Sequence, residues 1–158
     1  MATSPNDIRK TYPLSVYNFR VEIGTDSVAF SEVSGLSIGY ETTLYRESPT
    51  SGSQPGPVYM LMPGQPTLTE LTLKKGVVPA VSVRALYAWI STVHTNQVDK
   101  RDVVVRLCDE KGATVISWLV RNAFPVRLDA PTFDTTSNDV AIETLQLVAD
   151  EVQIREEP

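Results

Sequence analysis

Apolar positions alternate with polar ones through most of this chain, at the period of two that marks half-buried strands. In "VYNFRVEI", Tyr17, Phe19, Val21 and Ile23 fall on one face and Asn18, Arg20 and Glu22 on the other. "GTDS" at Gly24–Ser27 is a turn signal, and "VAFSEV" resumes as a second strand that should pair with the first as a hairpin. Gly35 then permits a sharp change of direction. In "SIGYETTLYRE", Tyr40, Thr42, Leu44 and Arg46 share one face and Glu41, Thr43 and Tyr45 the other, so neither face is strongly apolar. "TLTELTLKKG", Thr67 to Gly76, is a further strand ending in a glycine turn.

The period then changes to that of a helix. Val83, Leu86, Tyr87, Ile90, Val93 and His94 recur at helical spacing, and Pro79 and Ser82 suit a helix start. The expectation is one helix, about Val81 to Thr95, with Val83, Leu86, Ile90 and Val93 as the stripe that meets one sheet. "DVVVRLCDE" and "TVISWLVRNAF" follow as a second hairpin reversed over Asp109–Gly112, with Pro125 and Pro131 bracketing a bend. "VAIETLQLVADEVQIRE" closes the chain as a long alternating strand or pair of strands. The pattern predicts a mainly β single domain over residues 1–158, a two-sheet β-sandwich or barrel with one flanking helix. Residues 1–14 form a polar arm.

Between Glu47 and Pro66 the alternation stops. Five of the 11 prolines sit there, with three glycines, so residues 47–66 read as an extended loop. The loop holds one apolar patch, "VYMLM" at Val58–Met62, which favours something that docks over a floppy insertion.

Composition then removes several function classes. A formal charge of −5 argues against nucleic-acid binding through a general basic surface. "KKG" at Lys74–Gly76 and "DKRD" at Asp99–Asp102 read as solvated turn ends. Cys108 and His94 are the only residues of their types, so they cannot make a tetrahedral His/Cys zinc site, and Cys108 reads as a small thiol in a buried strand. Paired acids, Asp109/Glu110 and Glu156/Glu157, read as solvated. No P-loop or dinucleotide fingerprint is present, and no metal or cofactor is expected. No apolar run is long enough to span a bilayer, and "MATSPNDIRKTYP" lacks a signal-peptide core, so synthesis in the cytoplasm without a secretory signal is expected. Long strands with two polar faces leave unpaired edges, and pairing with a head-to-tail copy is one way to cover them. A free-standing sandwich that binds carbohydrate or peptide through Tyr40, Tyr45 and Tyr59 is the alternative.

The string "FRVEIGTDSVAFSEVSGLSIGYETTLYRE" resembles the opening of contractile tail tube proteins. "MPGQ", "LTLKKG", "LYAWI", "WLVRNAFPVRL" and "VAIETLQLVAD" follow in the family's order, so the resemblance runs from about Tyr12 to the C-terminal strands. It extends in particular to inner-tube proteins of extracellular contractile injection systems such as the antifeeding prophage and the Photorhabdus virulence cassette, themselves similar to phage tail tubes and the Hcp tube. The resemblance implies a non-catalytic subunit of hexameric β-barrel rings that stack into a hollow tube inside a sheath. The implied partners are further copies of the chain, the sheath, the baseplate hub or spike, tube-terminating proteins and effector cargo in the lumen. The implied location is a phage-tail-like particle. "SPTSGSQPGPV", Ser48 to Val58, is longer than in the shorter relatives. The loop is expected to dock on a neighbouring subunit through Arg46, Glu47, Tyr59, Leu61 and Met62. A water-filled lumen needs polar walls, and alternation nominates Glu41, Thr43, Glu70, Thr72 and Lys74.

Overall fold

The computed structural model describes residues 2–94 and 97–157, so Met1, Pro158 and the expected helix end at Thr95 lie outside the described residues. The chain forms α1 (Pro5–Thr11), β1 (Phe19–Ile23), β2 (Asp26–Val28), β3 (Glu32–Ser34), β4 (Tyr40–Glu47), β5 (Val58–Pro66) and β6 (Thr69–Gly76). A central helix over residues 79–90 follows, then β7 (Arg101–Cys108), β8 (Thr114–Asp129), β9 (Ile142–Ala149) and β10 (Glu151–Glu156). Seven strands run in the order β2-β1-β7-β8-β9-β6-β3, and β10 joins them by pairing with β8. All the pairings are antiparallel.

The long strand β8 makes this sheet into two facing layers. Its first half pairs with β7 and β10; from Phe124 onward it pairs with β9. At the corner Asn122 takes φ 53°, a left-handed conformation that asparagine tolerates better than most residues. Its backbone N–H donates to Asp102 Oδ1 at 3.0 Å and its side-chain amide to Asp150 Oδ2 at 2.9 Å. Asp150 is also the break between β9 and β10, so one hydrogen-bonded corner turns both long strands. Pro125 does not bend the chain as expected. β7 pairs no further than Ala123, so Pro125 lies where β8 has β9 on one side only, and the β8–β9 register shifts just beyond it. Val21, Val103, Val105 and Val120 from one layer meet Leu71, Leu73, Leu145 and Leu147 from the other in a single core.

"VAFSEV" is not one strand. β2 pairs with β1 across the two-residue turn Gly24–Thr25, whereas β3 pairs with β6 at the far end of the strand order. Residues 29–31 therefore carry the chain from one layer to the other. Ser31 fastens the passage: its N–H and its hydroxyl both donate to the Lys74 carbonyl, at 2.7 and 3.0 Å. Gly35 follows with φ +91°, and a Cβ there would stand 2.1 Å from the Glu70 carbonyl oxygen. The small-residue kink is thus required by the backbone of β6 and by the left-handed conformation together.

The central helix starts at Pro79 as expected and ends at Ile90, short of the expected end. It is continuous, with a π-helical segment, Ser82–Tyr87, between α-helical turns. Its buried side is Ser82, Leu86 and Trp89, so the stripe is offset from the expected one; Val83 is 58% exposed and Val93 is also exposed. Trp89 sets the phase. It is the bulkiest fully buried side chain of the core, and its indole N–H donates to the Asp99 carbonyl at 2.7 Å. Arg101 lies over the same ring at 5.2 Å from its centre, so part of "DKRD" caps the core and is not simply solvated. Leu86 is buried at the middle of the stripe. Leu86→Ala should cost roughly 2–5 kcal/mol in a denaturant-unfolding measurement. A loss below about 0.5 kcal/mol, the size of a typical surface change, would contradict its place in the core.

One part of the interior is ionic. Lys75 and Glu143, opposite each other in the β6–β9 ladder, both point inward and are almost fully buried. Lys75 is therefore not a solvated turn end. Its ammonium lies 3.9 Å from Glu143 Oε1 and donates to the Gly76 carbonyl at 2.7 Å. The Ser82 hydroxyl donates to Glu143 Oε1 at 2.5 Å and accepts from the Val78 N–H at 3.1 Å. The network ties the first turn of the helix to both strands beneath it.

Candidate assembly surface

β5 lies inside the segment expected to be an extended loop. Residues 58–66 are a strand that pairs with β4, and only residues 48–57 connect the two. The two strands form a separate ribbon that joins no other strand among the described residues. Pro63, Gly64 and Pro66 read as breakers in the sequence. In a two-stranded ribbon every residue has one side without a ladder partner, so a missing N–H can face outward. Tyr40 pairs with Pro66 and Thr42 with Pro63, so β5 carries an extra residue there, a bulge that re-aims the ribbon. Gly64 sits in that bulge, where a Cβ would stand 3.1 Å from the Glu41 carbonyl oxygen.

Register decides what each face of the ribbon presents, because cross-strand partners point the same way. Arg46 opposes Tyr59 and Leu44 opposes Leu61, so Arg46, Tyr59 and Leu61 share one face. The Arg46 guanidinium lies over the Tyr59 ring, 5.4 Å from its centre. Glu47 and Met62 are on the opposite face, with Thr43 and, by alternation, Glu41. The ribbon therefore collects all five residues expected to dock, but splits them between two faces. Both faces carry exposed apolar side chains among polar ones: Tyr59 is 60% and Leu61 76% accessible, and Met60 and Met62 are exposed on the other side beside Glu41, Thr43 and Glu47. A solvated ribbon gains nothing from such side chains. The same split separates Tyr45 from Tyr40 and Tyr59, so the three tyrosines do not form one stacking platform for a sugar or peptide.

The expected lumen residues fall into two groups. Glu70, Thr72 and Lys74 lie on the outward face of β6, while Leu71, Leu73 and Lys75 point inward. Their ladder neighbours continue the polar face: Thr72 lies between Ser34 and Gln146, and Lys74 between Glu32 and Thr144. Lys74 Nζ is 3.2 Å from Glu32 Oε2. Glu41 and Thr43 belong to the ribbon and not to this ladder. The bulge also shifts the phase of alternation between the ribbon and β6, so one parity rule does not unite the two groups.

The residues considered for chemistry are otherwise engaged. Cys108 is buried at one end of β7, whereas His94 bridges Gln97 ahead of the other end. Asp109, expected to be solvated, is buried; its Oδ1 accepts from the N–H groups of Lys111 and Ala113 at 3.0 and 2.9 Å. It closes the β7–β8 turn, with Gly112 in the left-handed region at φ +81°. Glu157 accepts from the Ser117 hydroxyl at 3.0 Å. Among the described residues no cluster of three His, Cys, Asp or Glu side chains could hold a metal ion, and no helix is long and apolar enough to cross a membrane.

Residues 15–153 match the family described as T4-like virus tail tube protein gp19. No curated protein matches the chain. Among solved structures, a chain of an extracellular contractile injection system, the PVC sheath-tube complex in its extended state, is 39% identical with a TM-score of 0.88, covering 99% of this chain and 100% of that one. A chain of the anti-feeding prophage tube-terminating cap is also 39% identical, with a TM-score of 0.83 and the same coverage. Hcp1 from Flavobacterium johnsoniae shares the fold at 17% identity and a TM-score of 0.50, over 89% of this chain and 97% of that one.

Proposed function

The chain belongs to the T4-like tail tube protein family, and from that premise we propose that it is the structural subunit of the inner tube of an extracellular contractile injection system. The observation that carries this is the match at 39% identity, over essentially the full length of both chains, to a chain of a sheath-tube complex. Hexameric rings of the subunit stack into a hollow tube, and contraction of a surrounding sheath drives that tube through a target envelope. The subunit's role is mechanical and involves no catalytic step.

Two features support the assignment of faces. The ribbon, with apolar residues on both sides, suits contact with a neighbouring subunit. The polar outward face of β6, with Glu70, Thr72 and Lys74, suits the wall of a water-filled channel that passes cargo. Glu41 and Thr43 would extend that wall if the ribbon turns its Met62 face toward the channel. The partners are further copies of the chain, the sheath, a baseplate and a tube terminator, in a phage-tail-like particle acting outside the producing cell. Electron microscopy of the purified full chain and of the native particle tests the reading. Six-fold rings stacked around a central channel are expected. A chain that stays monomeric at high concentration, and is missing from the rings of the native particle, would refute it.

A further inference from the structure

Of the three methionines in this chain, two stand side by side on the ribbon, as Met60 and Met62; the third is Met1. Methionine usually fills gaps in cores, yet among the described residues no methionine is buried. Residues two apart on a strand share a face, so both thioethers point the same way. Met60 opposes Tyr45 in the ladder and Met62 opposes Thr43. The two are 44% and 45% exposed, and neither belongs to the core cluster.

This placement has a chemical consequence. Sulfur is the most readily oxidised atom of a protein side chain, and exposure decides which sulfur reacts. The one thiol, Cys108, is only 3% exposed, so a mild oxidant meets the two ribbon thioethers first. A peroxide is sufficient. The sulfur lone pair attacks one peroxide oxygen, an S–O bond forms as the O–O bond breaks, and with hydrogen peroxide the other oxygen leaves as water after proton transfer. The sulfur gives up two electrons and the peroxide takes them. The product is a polar, chiral sulfoxide, which accepts hydrogen bonds and donates none. In water this is harmless. Pressed against an apolar surface, the new oxygen has no donor, and the contact weakens by roughly tenfold for each sulfoxide.

We propose that Met60 and Met62 form a reversible oxidation site for peroxides, and that its state decides whether a free subunit can enter a tube. The proposal rests on the tube reading and adds to it a control that acts before the tube exists. Folding and assembly respond differently because the site lies outside the core: the oxidised subunit stays folded but carries polar groups where its ribbon should be apolar. The change is reversible. Methionine sulfoxide reductases return the thioether while a dithiol is oxidised to its disulfide and the oxygen leaves as water.

The test uses the full chain and dilute hydrogen peroxide. Free subunits are treated, the peroxide is removed, and peptide mass mapping counts the oxygen added at Met60 and Met62 and separates it from any at Met1. The treated chain should gain one oxygen at each of the two sites and unfold at a denaturant concentration close to that of the untreated chain. Its tubes should be at least about tenfold shorter in negative-stain images. Reductases A and B with a dithiol should restore their length. Met60→Leu with Met62→Leu in one chain should give the same tube length before and after peroxide, whatever length it starts from. Tubes of full length from chains carrying both sulfoxides would overturn the proposal and leave the tube reading intact. So would a loss that the reductases do not reverse, or one that persists in the doubly substituted chain, since another group would then be responsible. A treated chain that unfolds early would overturn it too, because the effect would then be on the fold. An untreated chain that forms no six-fold ring would sink the tube reading itself, and the proposal with it.

Discussion

A chain in which Tyr40 is joined to Pro66 by a two-residue Asn-Gly turn, removing the ribbon, should fold normally and build no tube. Tyr40 and Pro66 are cross-strand partners, so their Cα atoms lie about 5 Å apart and a short turn can close the gap. None of the fully buried core side chains comes from β4 or β5. Shortening a connection costs little, because loop-closure entropy varies only slowly with length. The trimmed chain should therefore unfold at a denaturant concentration close to that of the parent. What it loses is the apolar projection on both faces, which has no partner within its own chain. Single rings should survive if closure uses other edges, such as the outer side of β10, which among the described residues pairs only with β8. Stacks should vanish. Sedimentation and negative-stain microscopy at matched concentration decide it. Stacks of parental length would show that the ribbon is dispensable for assembly, and a collapse in stability would place it in the core.

The removed segment is also where sequence and structure part most. β6 was legible because one face of "TELTLKKG" is buried and the other is not, so burial writes itself into alternation. β5 has no buried face. Its alternation carries no signal within one chain, and its Pro63 and Pro66, which have no N–H to donate, are tolerated because no third strand among the described residues pairs with β5. α1 was missed for another reason. A seven-residue helix is too short to show a period. Its start was nonetheless written in "SPND": Ser4 Oγ accepts from the Asp7 N–H at 3.2 Å, with proline in the first turn. The helical stripe is offset from the expected phase because Val83 and Val93 are apolar without being core. Val83 instead borders a groove beside Phe133, and an exposed apolar position of that kind cannot be told from a core residue by periodicity. Lys75, Glu143 and Asp109 could not be read as buried at all, since only the fold supplies the partners that make burial tolerable.

That ionic core leads to the other large expected effect. Glu143→Ala should destabilise the subunit by about 3–5 kcal/mol, because it leaves the Lys75 ammonium buried without its counter-charge. This is a large share of the roughly 5–15 kcal/mol that holds a domain folded. Ser82 would lose its acceptor in the same step, and with it the tie between the first turn of the helix and β9. The double change Lys75→Met with Glu143→Leu removes both charges and fills similar volume. Replacement of a buried ion pair by apolar side chains is often neutral or stabilising, so the double variant should recover most of the loss. Recovery would show that the cost of the single change is the stranded charge, with little owed to the attraction itself. Denaturant unfolding of the wild type, Lys75→Met, Glu143→Leu and the double completes the cycle, with Glu143→Ala measured beside it. If Glu143→Ala costs less than about 1 kcal/mol, water reaches Lys75 and the site is not the closed interior described above. If the double variant is as unstable as the single, the requirement is for the hydrogen bonds of Ser82 and Gly76 and not for charge balance.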